Sequence, residues 1–289
     1  MRGLNCRFMQ ALRDGDLAAL REVVAADRDL ILEIRENALD VYFKGNRLLR
    51  LDQTSAGYPM TLDDKFRVEA LADLTSLRSA SDTEMFVAAI PAIKERIVGL
   101  RRGASEIECE QMLIRANNCE LRLNTEYFII DRQLVTGDQS GQMDLIAAYW
   151  PLENRAHNRE VALVLMEVKY GLNPDIRKLP QQLSRYHDDL DNRISEVTAE
   201  AETLLRQKVE LGLFVGTLAQ LEALKTLTVS RRIEDVRYVV VLVDYNPWSK
   251  LLDLDLLRDL EFGDRIDIFH VGFALWRRNA EPIAAATAS

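Results

Sequence analysis

Residues 161–170 read VALVLMEVKY, a nearly continuous apolar run that ends with Glu167, Val168 and Lys169. Runs of this kind are typical of a central strand that is covered on both faces. The preceding run, QMDLIAAYW at 142–150, has the same character and carries Asp144. A charge inside a buried strand costs several kcal/mol unless it is paired or binds a metal. Both runs therefore predict buried strands whose charged side chains are paired or bind a metal.

Length and composition predict a folded protein with one large α/β domain or two smaller ones, because 289 residues with 48% hydrophobic content can bury a proper core. The formal charge of −9 excludes a broad basic coat for nonspecific DNA binding. Any nucleic-acid partner must then be held by a local basic patch or a metal.

The cysteines and the hydropathy pattern bear on localisation. Cys6, Cys109 and Cys119 form no CxxC pair and leave an odd cysteine, which favours a reducing compartment. The N-terminus lacks an adequate apolar segment for a signal peptide, and no window approaches a membrane span. We expect a soluble, cytoplasmic protein with no membrane partner.

The periodicity of the chain predicts an α/β fold, a mixed β-sheet flanked by helices, with an N-terminal helix plus β-hairpin extension. Residues 1–80 form the N-terminal unit, whose role the sequence leaves open, and residues 81–289 form a second domain with its core at about 105–245. We predict helices at 5–27, 81–100 (with Pro91 as a kink or break), 105–118, 179–210, 218–227 and 251–260, and strands at 30–34, 38–43, 47–51, 121–130, 142–150, 161–169, 238–244 and 266–276.

The charged residues of the two central strands predict a divalent-metal site. Hard cations such as Mg²⁺ prefer carboxylate oxygen, and metal ions assist phosphodiester cleavage by activating water and neutralising the phosphate. Asp144 and Glu167 can lie side by side on neighbouring strands, and the Val168 carbonyl can offer a further oxygen. Lys169 shares a strand face with Glu167. It would orient the attacking water or stabilise charge on the phosphate, or it simply neutralises the two acids.

The pattern Asp144…Glu167-Val168-Lys169 resembles the D…(D/E)xK signature of the PD-(D/E)XK nuclease superfamily, which includes restriction enzymes, repair nucleases and RecB-type nucleases. The resemblance covers about 105–244. It implies a restriction-endonuclease-like core with a helix, a three-strand meander whose second and third strands carry the signature, a crossing helix and a further strand. The predicted element order matches. Met143 stands before Asp144 in place of proline, a departure that the signature tolerates.

This resemblance further implies an acid on the helix before the meander. Glu110 lies three residues after Ile107 and four before Ile114, on one helix face, and we choose it as a catalytic residue and metal ligand. Glu106 is the reserve. The alternative is that these acids are solvated, with Glu106 and Glu108 as partners of the helix dipole.

On the helix after Lys169, Gln182 and Tyr186 resemble the QxxxY motif of RecB-type nucleases. Residues four apart share a helix face, so both could reach one site. Arg177, Lys178 and Arg185 could supply the local basic patch, or they form an ordinary solvated face. We predict Gln182, Arg185 and Tyr186 as substrate-binding residues.

The resemblance implies a nuclease that depends on Mg²⁺ or Mn²⁺, with DNA as the expected substrate, in repair, restriction or defence against mobile DNA. The sequence does not distinguish DNA from RNA as the substrate. A homodimer would suit double-strand cutting. One alternative is a catalytically inactive nuclease-fold module that acts in nucleic-acid binding or protein assembly. The other is a buried ion-pair cluster without catalysis.

Overall fold

The computed structural model describes residues 2–100, 106–122, 124–136 and 141–276. Within them the helices are α1 (Cys6–Asp14), α2 (Ala18–Ala26), α3 (Ala80–Leu100), α4 (Glu106–Arg115), α5 (Leu179–Glu210), α6 (Leu218–Lys225) and α7 (Leu254–Arg258), and the strands are β1 (Leu30–Ile34), β2 (Ala38–Phe43), β3 (Asn46–Asp52), β4 (Tyr58–Thr61), β5 (Ser76–Leu77), β6 (Tyr127–Thr136), β7 (Gly141–Tyr149), β8 (Glu160–Tyr170), β9 (Thr228–Val229), β10 (Arg237–Val243) and β11 (Ile266–Val271).

The larger sheet has the strand order β11-β10-β8-β7-β6, and β9 pairs with the start of β8. Strands β6, β7 and β8 are antiparallel, whereas β8, β10 and β11 are parallel, so the sheet is mixed. Alternate residues of β8 belong to different apolar clusters. Leu163 and Leu165 belong to the cluster that contains the buried apolar residues of α5, and Val164 and Met166 belong to the cluster that contains those of α4. The α/β class with a mixed sheet between helices is therefore confirmed.

The N-terminal unit is larger than the predicted helix and hairpin. Its strands β1 to β5 form an antiparallel sheet in sequence order, and α3 packs against α2 beside it. The predicted helix at 5–27 is two helices, because the chain turns at Gly15 between α1 and α2. Asn5 caps α1, where its side chain accepts a hydrogen bond from the Phe8 amide at 3.0 Å.

Several predicted element boundaries were wrong. The first strand of the meander begins at Tyr127 and not at Leu121, because a π-helical turn and the positive φ of Arg122 extend the turn after α4. Pro91 lies inside an unbroken α3. Helix α7 and strand β11 are shorter than predicted, and the predicted start of α4 at Ser105 lies outside the described residues.

Buried charges join the two units. Lys208 on α5 contacts Glu33 on β1 with 2.7 Å between Nζ and Oε2, and both side chains are buried. Asp131 on β6 pairs with Arg35 at 2.6 Å and also with Arg2. Burial raises the pKa of Glu33. Burial would also raise the pKa of Asp131, but the charges of Arg35 and Arg2 outweigh it and lower that pKa.

The Lys208–Glu33 pair gives a stability prediction. Lys208→Met leaves the Glu33 carboxylate buried without its cation, so the free energy of unfolding falls by about 3–5 kcal/mol in urea denaturation. Lys225→Met is the matched control, because Lys225 forms an exposed pair with Glu222 at 2.9 Å; its loss stays within about 0.5 kcal/mol. Equal losses in the two variants would contradict the prediction.

Candidate functional site

Asp144 and Glu167 meet where strands β7 and β8 part. The antiparallel pairing of these strands extends to Leu145 opposite Met166, and one further step in the same register places Asp144 opposite Glu167. The Asp144 carboxylate accepts a hydrogen bond from the Val168 amide, with 2.8 Å between N and Oδ2. Two acids are thus neighbours at the end of the central strands.

Lys169 contacts Glu167 directly. Its Nζ lies 2.5 Å from Glu167 Oε1, and both side chains are buried. The other oxygen, Glu167 Oε2, is also buried and has no hydrogen-bond partner among the described residues. The site therefore contains an acceptor oxygen in need of a partner.

The titration of these groups reflects burial and crowding. Burial, followed by the negative charge of Asp144, raises the pKa of Glu167 to about 7. Burial also raises the pKa of Asp144. Burial alone would lower the pKa of Lys169, but Glu167 and Asp144 outweigh it and raise that pKa. Lys169 is therefore a cation at neutral pH, and added positive charge at the site favours the ionised forms of both carboxylates.

Glu110, the chosen helix acid, is buried, and its direct partner is Arg132 on β6. The two side chains are 2.9 Å apart, between Oε2 and Nη2. Burial raises the pKa of Glu110 to about 7 despite this pair, and Asp144 contributes to the rise. Glu110 thus lies within electrostatic range of Asp144, but its contact is with arginine.

Glu106, the reserve, is the first residue of α4 and lies beside the end of β8. Its Oε1 accepts hydrogen bonds from the Tyr170 amide at 3.1 Å and from Asn173 Nδ2 at 2.5 Å. Its charge is among the causes that raise the pKa values of Asp144 and Glu167. Both helix acids therefore flank the two strand acids, and Glu106 also joins α4 to the segment after Lys169.

Helix α5 places its two motif residues on the inner side. Tyr186 is buried, and burial, followed by the negative charges of Glu167 and Asp144, raises the pKa of its hydroxyl. Gln182 Oε1 is buried without a hydrogen-bond partner among the described residues. Arg185 and Arg177 are exposed, and Lys178 pairs with Asp175 at 2.7 Å. The structure thus brings Tyr186 to the acids and leaves Arg185 on the outer face.

Sequence reasoning missed Asp131 and Arg132, because the predicted strand ended at Ile130. The register shifts between Ile129 and Asp131, and both charged residues are buried. Arg132 also lies over the ring of Tyr42, 4.4 Å from its centroid. The signal was available in the sequence: Asp131 and Arg132 interrupt the apolar run FIIDRQLV at 128–135, as Glu167 and Lys169 interrupt theirs.

Comparisons with known proteins add no relative: no protein-family model matches the sequence, and no match was found among curated proteins or solved structures. In the described part of the chain, no group of three or more histidine, cysteine, aspartate and glutamate side chains is placed to hold a metal ion. Among the same residues, no helix combines the length and apolar character needed to cross a bilayer.

The raised pKa of Glu167 predicts how stability depends on pH without metal. A carboxyl whose pKa is about 7 in the folded protein, against an ordinary 4.5, contributes stability that is lost as pH rises through 7. We expect the free energy of unfolding in EDTA to fall between about pH 5 and pH 8, with Glu167 contributing up to about 3 kcal/mol.

Glu167→Gln removes this titration, so its curve of unfolding free energy against pH is flatter than that of the wild type. Glu160→Gln, an exposed acid on the same strand, is the control and keeps the wild-type slope. Parallel curves for Glu167→Gln and the wild type would show that Glu167 ionises normally.

Proposed function

We propose that the chain is a Mg²⁺- or Mn²⁺-dependent nuclease that hydrolyses phosphodiester bonds, with DNA as its substrate. The observation that carries the proposal is the group of Asp144, Glu167 and Lys169 at the point where β7 and β8 part, with Glu167 Oε2 buried and without a partner among the described residues. Further support comes from the order of elements. Helix α4, the β6–β7–β8 meander, helix α5 and the parallel strand β10 follow in the order that the PD-(D/E)XK resemblance implies.

The donor atoms suit a hard divalent cation. Asp144 and Glu167 supply carboxylate oxygens, and the Val168 carbonyl follows Glu167 directly in the chain. Mg²⁺ usually keeps several waters and binds through one or two carboxylates plus substrate phosphate, so a group of three protein acids is not required. Glu110 and Glu106 flank the pair as further candidate ligands; Glu110 would first have to give up its contact with Arg132.

Each side chain has a role that its environment supports. A bound cation would polarise the phosphate and lower the pKa of a water molecule. Lys169 keeps its proton, so it acts as a cation that orients water and stabilises negative charge on the phosphate, and not as a base. Tyr186 lies on the same buried side of α5 within electrostatic range of Glu167, and we assign Tyr186 and Gln182 to substrate binding.

A specific observation favours the second candidate, a nuclease-fold module that does not cleave. Lys169 already neutralises Glu167 by direct contact, and the described residues contain no group of three potential metal ligands. Such a module would act in nucleic-acid binding or protein assembly. It would bind no divalent cation through Asp144 and Glu167.

Substitution at the site tests the nuclease directly. We expect Asp144→Ala and Lys169→Ala each to reduce Mg²⁺-dependent DNA cleavage at least about a hundredfold, because each removes a charge on which the reaction depends. Glu160→Gln is the control and retains wild-type cleavage. Circular dichroism establishes that the variants fold. Wild-type activity in either site variant would rule out the assigned roles.

Calorimetric titration with Mn²⁺ separates the two candidates. Protons compete with the metal for Glu167, whose pKa is about 7, so the affinity for Mn²⁺ should rise as the pH increases from about 6 to 8. Below pH 7, each displaced proton raises the affinity by up to about tenfold per pH unit. Titrations in buffers of different ionisation enthalpy measure the released protons. Binding that is weak at every pH, and unchanged in Glu167→Gln, would favour the module without cleavage.

A further inference from the structure

We infer that the hairpin of strands β2 and β3 holds the phosphate backbone of the nucleic acid beside the candidate site, through Arg47 and Arg50. This inference rests on the proposed function and assigns the N-terminal unit a role in substrate binding. Its basis is the position of the hairpin and the charges on it.

The hairpin tip is fixed against helix α4. The Gly45 amide donates a hydrogen bond to Gln111 Oε1 at 2.6 Å, and Gln111 Nε2 donates to the Asp29 carbonyl at 2.6 Å. Gly45 has a φ of +75° and packs so closely on α4 that a Cβ there would lie 2.5 Å from Ile107 Cγ2. The tip therefore needs glycine and is held rigidly on the helix.

A chain of contacts leads from the hairpin to the site. Lys44 Nζ lies 3.5 Å from Glu108 Oε1 on the first turn of α4. Glu106, two residues earlier, accepts a hydrogen bond from the amide of Tyr170, the residue after Lys169. From the same hairpin, Tyr42 packs on Arg132, which holds Glu110. The hairpin thus flanks the end of the sheet where Asp144 and Glu167 lie.

Arginine side chains gather around the buried acid of the hairpin. Asp40 is buried among three guanidinium groups, with Arg35 at 3.1 Å, Arg50 at 3.6 Å and Arg47 at 3.9 Å. Arg50 also pairs with Asp52 at 3.0 Å, and Arg35 shares Asp131 with Arg2. Three guanidinium groups therefore gather on the single carboxylate of Asp40, in a chain whose formal charge is −9.

Arg47 and Arg50 are the most exposed of these arginines, with 47% and 31% of their side chains exposed. Arg47 forms the weaker ion pair of the two, because its Nη1 lies 3.9 Å from Asp40 Oδ1. Guanidinium groups bind phosphate oxygens through two parallel hydrogen bonds, so a polyanion with regularly spaced phosphates is the partner that suits this surface.

Fluorescence anisotropy with a short labelled DNA duplex tests the inference on the full chain. We expect Arg47→Gln combined with Arg50→Gln to weaken binding about tenfold, and the slope of log affinity against log salt to fall by about 2, since each lost phosphate contact removes about 0.9. Arg47→Gln alone, which leaves the Arg50–Asp52 pair intact, lowers the slope by about 1.

The matched control is the double variant Arg232→Gln with Arg258→Gln, which removes the same total charge from two exposed arginines in local pairs elsewhere on the surface. It should keep the wild-type affinity and slope. Equal effects in the two double variants, or an unchanged slope in Arg47→Gln with Arg50→Gln, would overturn the inference. If the wild-type protein still cleaves DNA in that case, the proposed nuclease function is unaffected. A wild-type protein that neither binds nor cleaves the duplex refutes the proposed function itself.

Discussion

The burial of strand β8 on both faces is the constraint on which the rest of the site depends. Its end carries Glu167 and Lys169 inside the protein, so each charge must find a partner there. Glu167 and Lys169 contact each other, and Asp144 accepts a hydrogen bond from the Val168 amide. Tyr186 on α5 lies within electrostatic range of Glu167. Buried ion pairs rarely repay their desolvation, so this group contributes little net stability to the fold.

A second set of buried charges ties this site to the N-terminal sheet. Arg132 holds Glu110 and packs on Tyr42, and its positive charge opposes the raised pKa of Asp144. Asp131, next in the chain, pairs with Arg35 and Arg2 of the N-terminal unit. Because β6 carries both residues, the position of the N-terminal sheet and the electrostatics of the site are set by neighbouring residues of one strand.

The sequence predicted most where a pattern was local. The apolar runs that contain Asp144 and Glu167 located β7 and β8 to within one residue, and the alternation of strand side chains placed Lys169 beside Glu167. The short strands β4 and β5 have too few residues for a periodic signal. The start of β6 depends on a π-helical turn, and the Arg132–Glu110 pair joins residues 22 apart through a register shift. Such features follow from tertiary packing and leave no periodic trace.

The directions of the pKa shifts bear on how metal and phosphate would bind under the proposed function. Burial raises the pKa of both acids, and the charge of Asp144 raises that of Glu167 further, so protons would compete with a metal ion for the pair. The formal charge of −9 and the two acids repel a phosphate backbone until that local charge is neutralised. Lys169 is already paired with Glu167, so it cannot neutralise both acids alone. Under the proposed function, a divalent cation at Asp144 and Glu167 would supply the missing positive charge, and the arginines of the hairpin would bind the backbone independently of it.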